Sequence, residues 1–273
     1  TEAVSEALVR LNAMTGNQTE TSGMLEQAFK WMTGKLHEEV IQLKKEQSKG
    51  FRDILPSEEA LRFLYINVID GRTLSSQGEA DKTYLVDLIA DHGSEMTIYG
   101  KARSAIILAK NNQVRKAKEY LQSVKEYSVY TDEMGRYFDT RKAQYNWCDY
   151  KIPTEVAAIE GLRMIEPESK AIDEMRRWLL QEKRTTSWDT PVSAVDAVYA
   201  FGVDSLISHG NENLSVLKVD GKKVETSPAT AGLGYVKSSE TVGEVKSLTV
   251  DKVNTGTSWG AVYAQFMQKG TDI

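Results

Sequence analysis

The residues of this sequence best suited to metal chemistry are its single cysteine, Cys148, and its histidines. No His-x-x-x-His or His-Glu-x-x-His spacing joins the histidines, which are His37, His92 and His209. Cys148 and Asp149, with the distant His209, have the ligand types of an Asp, Cys and His zinc site of a transferase. A buried structural cysteine beside Trp147 explains the same residues without a metal. We therefore predict no metal and no cofactor, with zinc as the alternative.

Paired carboxylates offer a second kind of chemistry. Asp139 and Glu155 are candidates to face one another in a central cavity as the acid and base of a glycan-cleaving site. The alternative is that both carboxylates face water, as most acidic residues on amphipathic helices do. The sequence has no Gly-x-x-x-x-Gly-Lys loop, Gly-x-Ser-x-Gly elbow or Gly-x-Gly-x-x-Gly fingerprint. Nucleotide binding and serine-hydrolase chemistry therefore lack their usual motifs, and we predict no catalytic residue.

Aromatic residues are dense between positions 130 and 150, in a stretch without helical periodicity; they are Tyr130, Tyr137, Phe138, Tyr145, Trp147 and Tyr150. Exposed rings on a rigid scaffold provide a platform for a ligand. A long hairpin held onto the helices by its rings explains the same density, and we favour it. The candidate binding residues on the platform hypothesis are Tyr137, Asp139, Trp147 and Trp188.

Length and composition indicate a folded protein with a sizeable core. The chain has 273 residues, 41% of them hydrophobic, and a formal net charge of -5. The charges alternate along the sequence, which is typical of solvated surfaces and excludes the basic patch of a nucleic-acid-binding protein. No apolar run is long enough for a transmembrane helix. The first residue is Thr1 and a helical pattern begins almost at once, which predicts a processed or excised piece of a longer protein.

Apolar residues recur every three or four positions through most of the chain, which predicts a series of amphipathic helices. The clearest runs from Ser22 to Lys49. Pro56-Ser57-Glu58-Glu59 is typical of a helix start, and Ser76-x-x-Glu79 reads as a capping box. Further starts are predicted at three prolines, each expected in a first helical turn, where proline costs no hydrogen bond; these are Pro153, Pro167 and Pro191.

The pattern changes near residue 208, where strands are predicted. Asp220-Gly221 lies between the apolar run 214–219 and Lys222-Lys223-Val224, which indicates a hairpin with a type I′ turn. Further strands are predicted at 234–237, 245–253 and 258–267. Both alternating sets of side chains in the last of these are apolar, which predicts burial on two faces.

About eight to ten helices with short connections must cover every apolar stripe, and a superhelical solenoid or an α/α toroid would do so. We find no fixed repeat period, and this disfavours the solenoid. The predicted fold is mainly α: an α/α toroid at 1–208, possibly truncated at its N-terminus, then a small antiparallel β segment at 209–273 that forms part of a β domain.

Residues 178–190 (Trp-Leu-Leu-Gln-Glu-Lys-Arg-Thr-Thr-Ser-Trp-Asp-Thr) and 194–200 resemble a segment of the alpha-2-macroglobulin family, in its bacterial, Bacteroides-type members. Residues 131–137 and 259–263 support the resemblance. It covers most of the chain from about Met24 onward. It implies helical hairpins of the terpenoid-cyclase type, in the C-terminal part of the thioester-type helical domain, followed by strands of the surrounding β domain.

Many members of that family trap proteases through a Cys-x-Glu-Gln thioester, and this sequence departs from that pattern because Cys148 is followed by Asp149-Tyr150-Lys151. The resemblance therefore implies a non-catalytic structural and interaction module of a protease-inhibitor protein, with no thioester in this chain. Its implied partners are other domains of the parent polypeptide and, further, proteases. The implied location is the periplasm or the cell envelope, through the parent protein. The alternative from another class is a toroid enzyme acting on glycans, or a zinc-dependent transferase.

Overall fold

A computed structural model describes residues 1–15, 21–52, 54–92, 96–139, 151–183, 190–207, 216–225, 245–252 and 263. These residues are mainly helical and include small antiparallel sheets, which confirms the predicted fold class at that level. The chain divides into two compact units, Thr1–Ile207 and Ser208–Ile273.

The described part of the first unit consists of helices and one short hairpin. The helices are α1 (Glu2–Thr15), α2 (Ser22–Ser48), α3 (Glu58–Asp70), α4 (Ser76–Asp91), α5 (Ile98–Lys110), α6 (Val114–Glu126), α7 (Lys151–Ile165), α8 (Ala171–Glu182) and α9 (Pro191–Ile207). The hairpin strands are β1 (Val129–Thr131) and β2 (Gly135–Tyr137).

Helix α2 shows how apolar spacing positions these elements. It begins at the predicted Ser22 and ends at Ser48, one residue before the predicted end. Its apolar residues are all buried, as a stripe at three- and four-residue spacing requires; they are Leu25, Phe29, Met32, Leu36, Val40 and Leu43. The predicted amphipathic helix is confirmed.

Side-chain caps begin several helices. The Ser57 hydroxyl accepts a hydrogen bond from the Ala60 amide, which confirms the predicted start of α3. The prediction for α4 is wrong by one residue, because Ser75 and not Ser76 is the N-cap and accepts from the Gly78 amide. Glu79 accepts from the amide of Leu74 at 2.8 Å, the residue before the N-cap, so its bond differs from that of the predicted capping box.

The prolines behave differently from one another. Pro153 lies in the first turn of α7, and Pro191 is the first residue of α9, as predicted. The prediction for Pro167 is wrong, since this residue lies in a turn before α8, which begins only at Ala171. Turn hydrogen bonds connect the end of α7 to the start of α8. The Ser169 amide donates to the Glu166 carbonyl, and the Ile172 amide donates to the Ser169 carbonyl.

The odd-numbered helices contact one another in a closed cycle. Helix α1 packs on α3, α3 on α5, α5 on α7, α7 on α9, and α9 returns to α1. The even-numbered helices lie against this cycle: α2 contacts α1 and α3, α4 contacts α2 and α5, α6 contacts α5 and α7, and α8 contacts α7 and α9. A closed cycle of this kind is what an α/α toroid requires, and the toroid itself stays a prediction.

The two most enclosed helices of the cycle are α5 and α7. Every residue from Ile98 to Leu108 is buried, as is every residue from Ile152 to Leu162. A helix that is apolar around most of its circumference is covered on all sides by other elements. Charged residues within these two helices therefore enter the interior, and two of them, Arg103 on α5 and Glu160 on α7, belong to the site described below.

The β1–β2 hairpin agrees with the favoured interpretation of the aromatic stretch at residues 129–137, and Tyr145, Trp147 and Tyr150 lie outside the described residues. Its strands pair antiparallel, and β2 packs on α8, where Tyr137 stacks on Trp178 with ring centroids 6.1 Å apart. Gly135 has a φ of 82°, and a side chain there would collide with the backbone carbonyl of Glu174. Glycine therefore lets the turn approach α8 closely.

The described part of the second unit is a small antiparallel sheet. Strands β3 (Val216–Val219), β4 (Lys222–Lys223) and β5 (Leu248–Asp251) lie in the order β4-β3-β5. Asp220 and Gly221 have φ values of 47° and 78°, as a type I′ turn requires, so the predicted hairpin is confirmed. Strand β5 falls within the predicted 245–253.

The other predicted strands fall mostly outside the described residues. Segment 234–237 lies wholly outside them, and Tyr263 is the one described residue of 258–267. Tyr263 is 86% exposed. The prediction that both faces of this strand are buried is therefore wrong for Tyr263, because its side chain is open to solvent.

Candidate functional site

A network of charged side chains lies among the odd-numbered helices of the cycle. The buried members come from all five helices of that cycle; they are Glu6 and Arg10 on α1, Tyr65 on α3, Arg103 on α5, Glu160 on α7 and Asp196 on α9. Because helices distant in sequence each contribute a residue, we refer to this set as the central network. Arg62 on α3 joins it as a half-buried member.

Arg10 is the residue with the most partners in the central network. Its Nη2 atom donates to Glu160 Oε2 at 3.0 Å and to the Tyr65 hydroxyl at 3.2 Å. Its Nη1 atom donates to Asp196 Oδ1. Its Nη2 atom also lies 3.0 Å from Oε1 of Glu6, which is one helical turn away on α1. One guanidinium thus joins helices α1, α3, α7 and α9.

Glu6 pairs with all three arginines of the central network. Arg103 Nη2 donates to Glu6 Oε1 at 2.6 Å, and Arg62 Nε donates to Glu6 Oε2 at 3.0 Å. The Tyr65 hydroxyl donates to Glu160 Oε1 at 2.5 Å, so two partners of Arg10 also bind each other. Charge-assisted hydrogen bonds of this length are stronger than neutral ones.

Tyrosine rings complete the surroundings of the guanidinium groups. The Arg103 guanidinium lies 3.6 Å from the centroid of the Tyr65 ring and 5.1 Å from that of Tyr99. Arg103 Nε and Nη1 make no hydrogen bond. A ring face attracts a desolvated cation, so these contacts offset part of the missing hydrogen bonds.

The central network is balanced in charge, with arginines Arg10, Arg62 and Arg103 against carboxylates Glu6, Glu160 and Asp196. Burial alone would raise the pKa of Glu6, but Arg103, Arg10 and Arg62 outweigh it and hold that pKa at about 2. Burial raises the pKa of Asp196 despite its pairing with Arg10. Burial also raises the pKa of Tyr199 to about 12, and the nearby Glu160 adds to the effect.

These contacts limit the chemistry of the central network. Glu6, Glu160 and Asp196 each accept a hydrogen bond from at least one guanidinium group. A guanidinium group does not release its proton at ordinary pH, so it cannot serve as a general acid. The arrangement therefore suits a structural role, in which buried charges that must find one another fix the register of the helices.

No family model matches the chain, and no curated protein or solved structure matches it at a significant level. Function is therefore argued from the residues and their contacts.

In the part of the chain that the structure describes, no three or more His, Cys, Asp or Glu side chains form a cluster that could hold a metal ion. No helix within these residues has both the length and the apolar character needed to cross a membrane.

Two of the four candidate binding residues, Tyr137 and Asp139, lie within the described residues. Tyr137 is half-buried against Trp178, and Asp139 is exposed after β2. Trp147 and Trp188 lie outside the described residues, as do Cys148, Asp149 and His209 of the zinc alternative. Asp139 and Glu155 differ in surroundings, since the first is open to solvent and the second is fully buried.

Glu155 is a buried carboxyl outside the central network. Among the residues that the structure describes, neither of its oxygens has a hydrogen-bond partner. Burial raises its pKa well above the ordinary value, and the charge of Arg136 lowers it only in part. Burial therefore disfavours the charged form of this carboxyl, and its polar atoms are buried without a hydrogen-bond partner among the described residues.

We expect Glu155→Met to stabilise the protein by about 1–3 kcal/mol at pH 7, because it removes an unsatisfied buried group of similar length. The raised pKa means that the wild-type protein loses stability as pH rises above the ordinary value of 4.5. The gain should therefore be larger at pH 8 than at pH 5, as measured by urea unfolding. Glu38→Met, at an exposed position, is the control. A destabilised Glu155→Met variant would contradict the account.

Sequence reasoning missed the central network, although a signal for it was present. Glu6 and Arg10 lie one turn apart in a helix with an apolar face, and Arg103 interrupts the run Ala102–Leu108. A charged residue within an otherwise apolar helix indicates either a buried partner or an error in the predicted face. The charge pattern of the sequence predicts solvated side chains, and this prediction is wrong for Glu6, Arg10 and Arg103, which are buried.

Proposed function

We propose that this chain is a non-catalytic structural and interaction module of an alpha-2-macroglobulin-like protease-inhibitor protein, acting without a thioester in this chain. Its partners are other domains of the parent polypeptide, and proteases are a further partner. The contacts are non-covalent, since Cys148 is not part of a Cys-x-Glu-Gln sequence.

The observation that carries the non-catalytic part is the central network. Where an enzyme would place free carboxylates around a substrate, the helices of this cycle place carboxylates that are already bound by arginines. Ligand sites are concave, with a few polar groups that converge on open space. The buried groups of the central network converge on one another.

The family part of the proposal depends on residues 178–190 and the segments that support them. Trp178, the first residue of that segment, is buried on α8 and stacks on Tyr137 of another supporting segment, 131–137. Two parts of the resemblance are therefore in contact in this fold.

A turnover screen and a complex assay test the proposal together. We expect no hydrolysis of a panel of polysaccharides and no zinc-dependent prenyl transfer. With serine, cysteine and metalloproteases, we expect any complex seen by gel filtration to dissociate fully in SDS. Turnover that Glu160→Gln abolishes while the variant stays folded would refute the non-catalytic assignment. An SDS-resistant adduct would refute the non-covalent one.

A further inference from the structure

A cavity lies where helices α5, α6 and α7 meet, outside the central network. Its volume is about 390 Å³, which is within the range of small-ligand sites. The end of α5, the start of α6 and the end of α7 form its walls; the described residues that line it are Ala109, Lys110, Val114, Lys118, Met164 and Ile165. Because α5 packs on α6 and α7, and α6 packs on α7, these walls belong to one packed group of helices.

The lining combines apolar surface with positive charge. Its apolar residues include Val114 and Met164, whose side chains are open to solvent at 49% and 38% exposure. The polar residues of the described lining are Lys110 and Lys118, and no carboxylate is among them. Lysine stems pack along apolar surface while their ammonium groups stay at its edge. The cavity therefore matches a ligand with an apolar body and a negative charge.

The charges around the cavity leave these two lysines without a counter-ion. Ion pairs with Glu119 and Glu166 occupy the other basic residues of α6, which are Arg115, Lys116 and Lys125. Within the described part of the chain, Lys110 and Lys118 form neither an ion pair nor a side-chain hydrogen bond. The two positive charges at the cavity are therefore available to an anion.

We propose that this cavity binds a small amphipathic anion, a molecule with an apolar body and one carboxylate or sulfonate group. The apolar body contacts Val114, Met164 and Ile165. The anionic group contacts Lys110 and Lys118. A neutral analogue lacks a partner for the lysines, and an inorganic anion lacks the apolar body, so neither uses the whole lining. The proposed function assigns no small ligand to the chain, and this site does not depend on it.

The dye anilinonaphthalene sulfonate is the direct probe, because it has this chemistry and its fluorescence rises when its rings leave water. We expect saturable binding of the dye to the full chain. Octanoate should displace the dye. Octanol and inorganic sulfate should each need at least about fivefold higher concentrations than octanoate, because each offers only one of the two kinds of contact.

Variants locate the site. Lys110→Gln and Lys118→Gln should each weaken dye binding about threefold, and the double variant about tenfold, since each removes one charge at an exposed position. Lys45→Gln is the matched control, because Lys45 is an exposed lysine of α2, which lies against α1, α3 and α4. It should leave dye binding unchanged. Circular dichroism and urea unfolding of each variant should match the wild-type chain, because the replaced lysines are exposed.

Three results would overturn the proposal. One is the absence of saturable dye binding to the wild-type chain. Another is a folded double variant that binds the dye as tightly as the wild-type chain, because the dye would then occupy another surface. The third is equal displacement by inorganic sulfate and octanoate, which would show that the lysines attract any anion and that the apolar lining takes no part.

Discussion

Replacing Arg10 by methionine is expected to destabilise the helical unit by about 3–5 kcal/mol, as is usual when one partner of a buried ion pair is removed. Arg10 pairs with Glu6, Glu160 and Asp196, and the variant would leave this buried site with an excess of negative charge. Methionine has a similar length and no charge, so the loss of stability comes mainly from removal of the guanidinium charge and less from changed packing. The loss is measured as the change in the free energy of unfolding in urea.

Two comparisons make the Arg10 result specific. Arg115→Met removes a pair with Glu119 at the surface, and we expect a change within about 0.5 kcal/mol. The triple variant Arg10→Met, Glu160→Gln, Asp196→Asn removes the uncompensated charges as well, and it should recover at least about half of the loss. A single variant as stable as the wild-type chain would show that the central network does not hold these helices together.

Glu6→Gln is expected to remove about 3 kcal/mol of stability at pH 7, since the arginines hold the pKa of Glu6 at about 2 instead of 4.5. A carboxyl whose pKa is lowered in the folded state contributes stability above its ordinary pKa. That contribution is lost as pH falls from about 4.5 to about 2. The variant should therefore be less stable at pH 7 and show a flatter acid limb than the wild-type chain.

The measurement is urea unfolding at a series of pH values between about 2 and 7, the range over which carboxyl groups titrate. Glu119→Gln is the control at a surface pair and should leave the acid limb unchanged. An acid limb of Glu6→Gln that follows the wild-type curve would mean that another carboxyl dominates acid unfolding.

The helices were predictable because their signals are local. The stripe of α2, the Ser57 cap of α3 and the Asp220-Gly221 turn each depend on residues a few positions apart. The errors at Ser76 and Pro167 are also local, since neighbouring serines and a turn before α8 compete for the same role.

The central network was not predictable in the same way, because its pairs join distant positions. Arg10 reaches Tyr65 across 55 positions and Glu160 across 150. One sequence shows that Glu6, Arg10 and Arg103 interrupt apolar stripes, but it does not show which charge meets which. The packing of the odd-numbered helices decides that, and packing follows from many weak contacts and not from any motif.

The return of α9 to α1 has a consequence for how the protein is made. Arg10 and Asp196 are 186 positions apart. At usual rates of translation, α9 leaves the ribosome about 10 to 40 seconds after α1. The nascent chain therefore carries Arg10 of α1 without Asp196 throughout that interval. Interrupted synthesis before α9 leaves an open chain of helices for chaperones or degradation to handle.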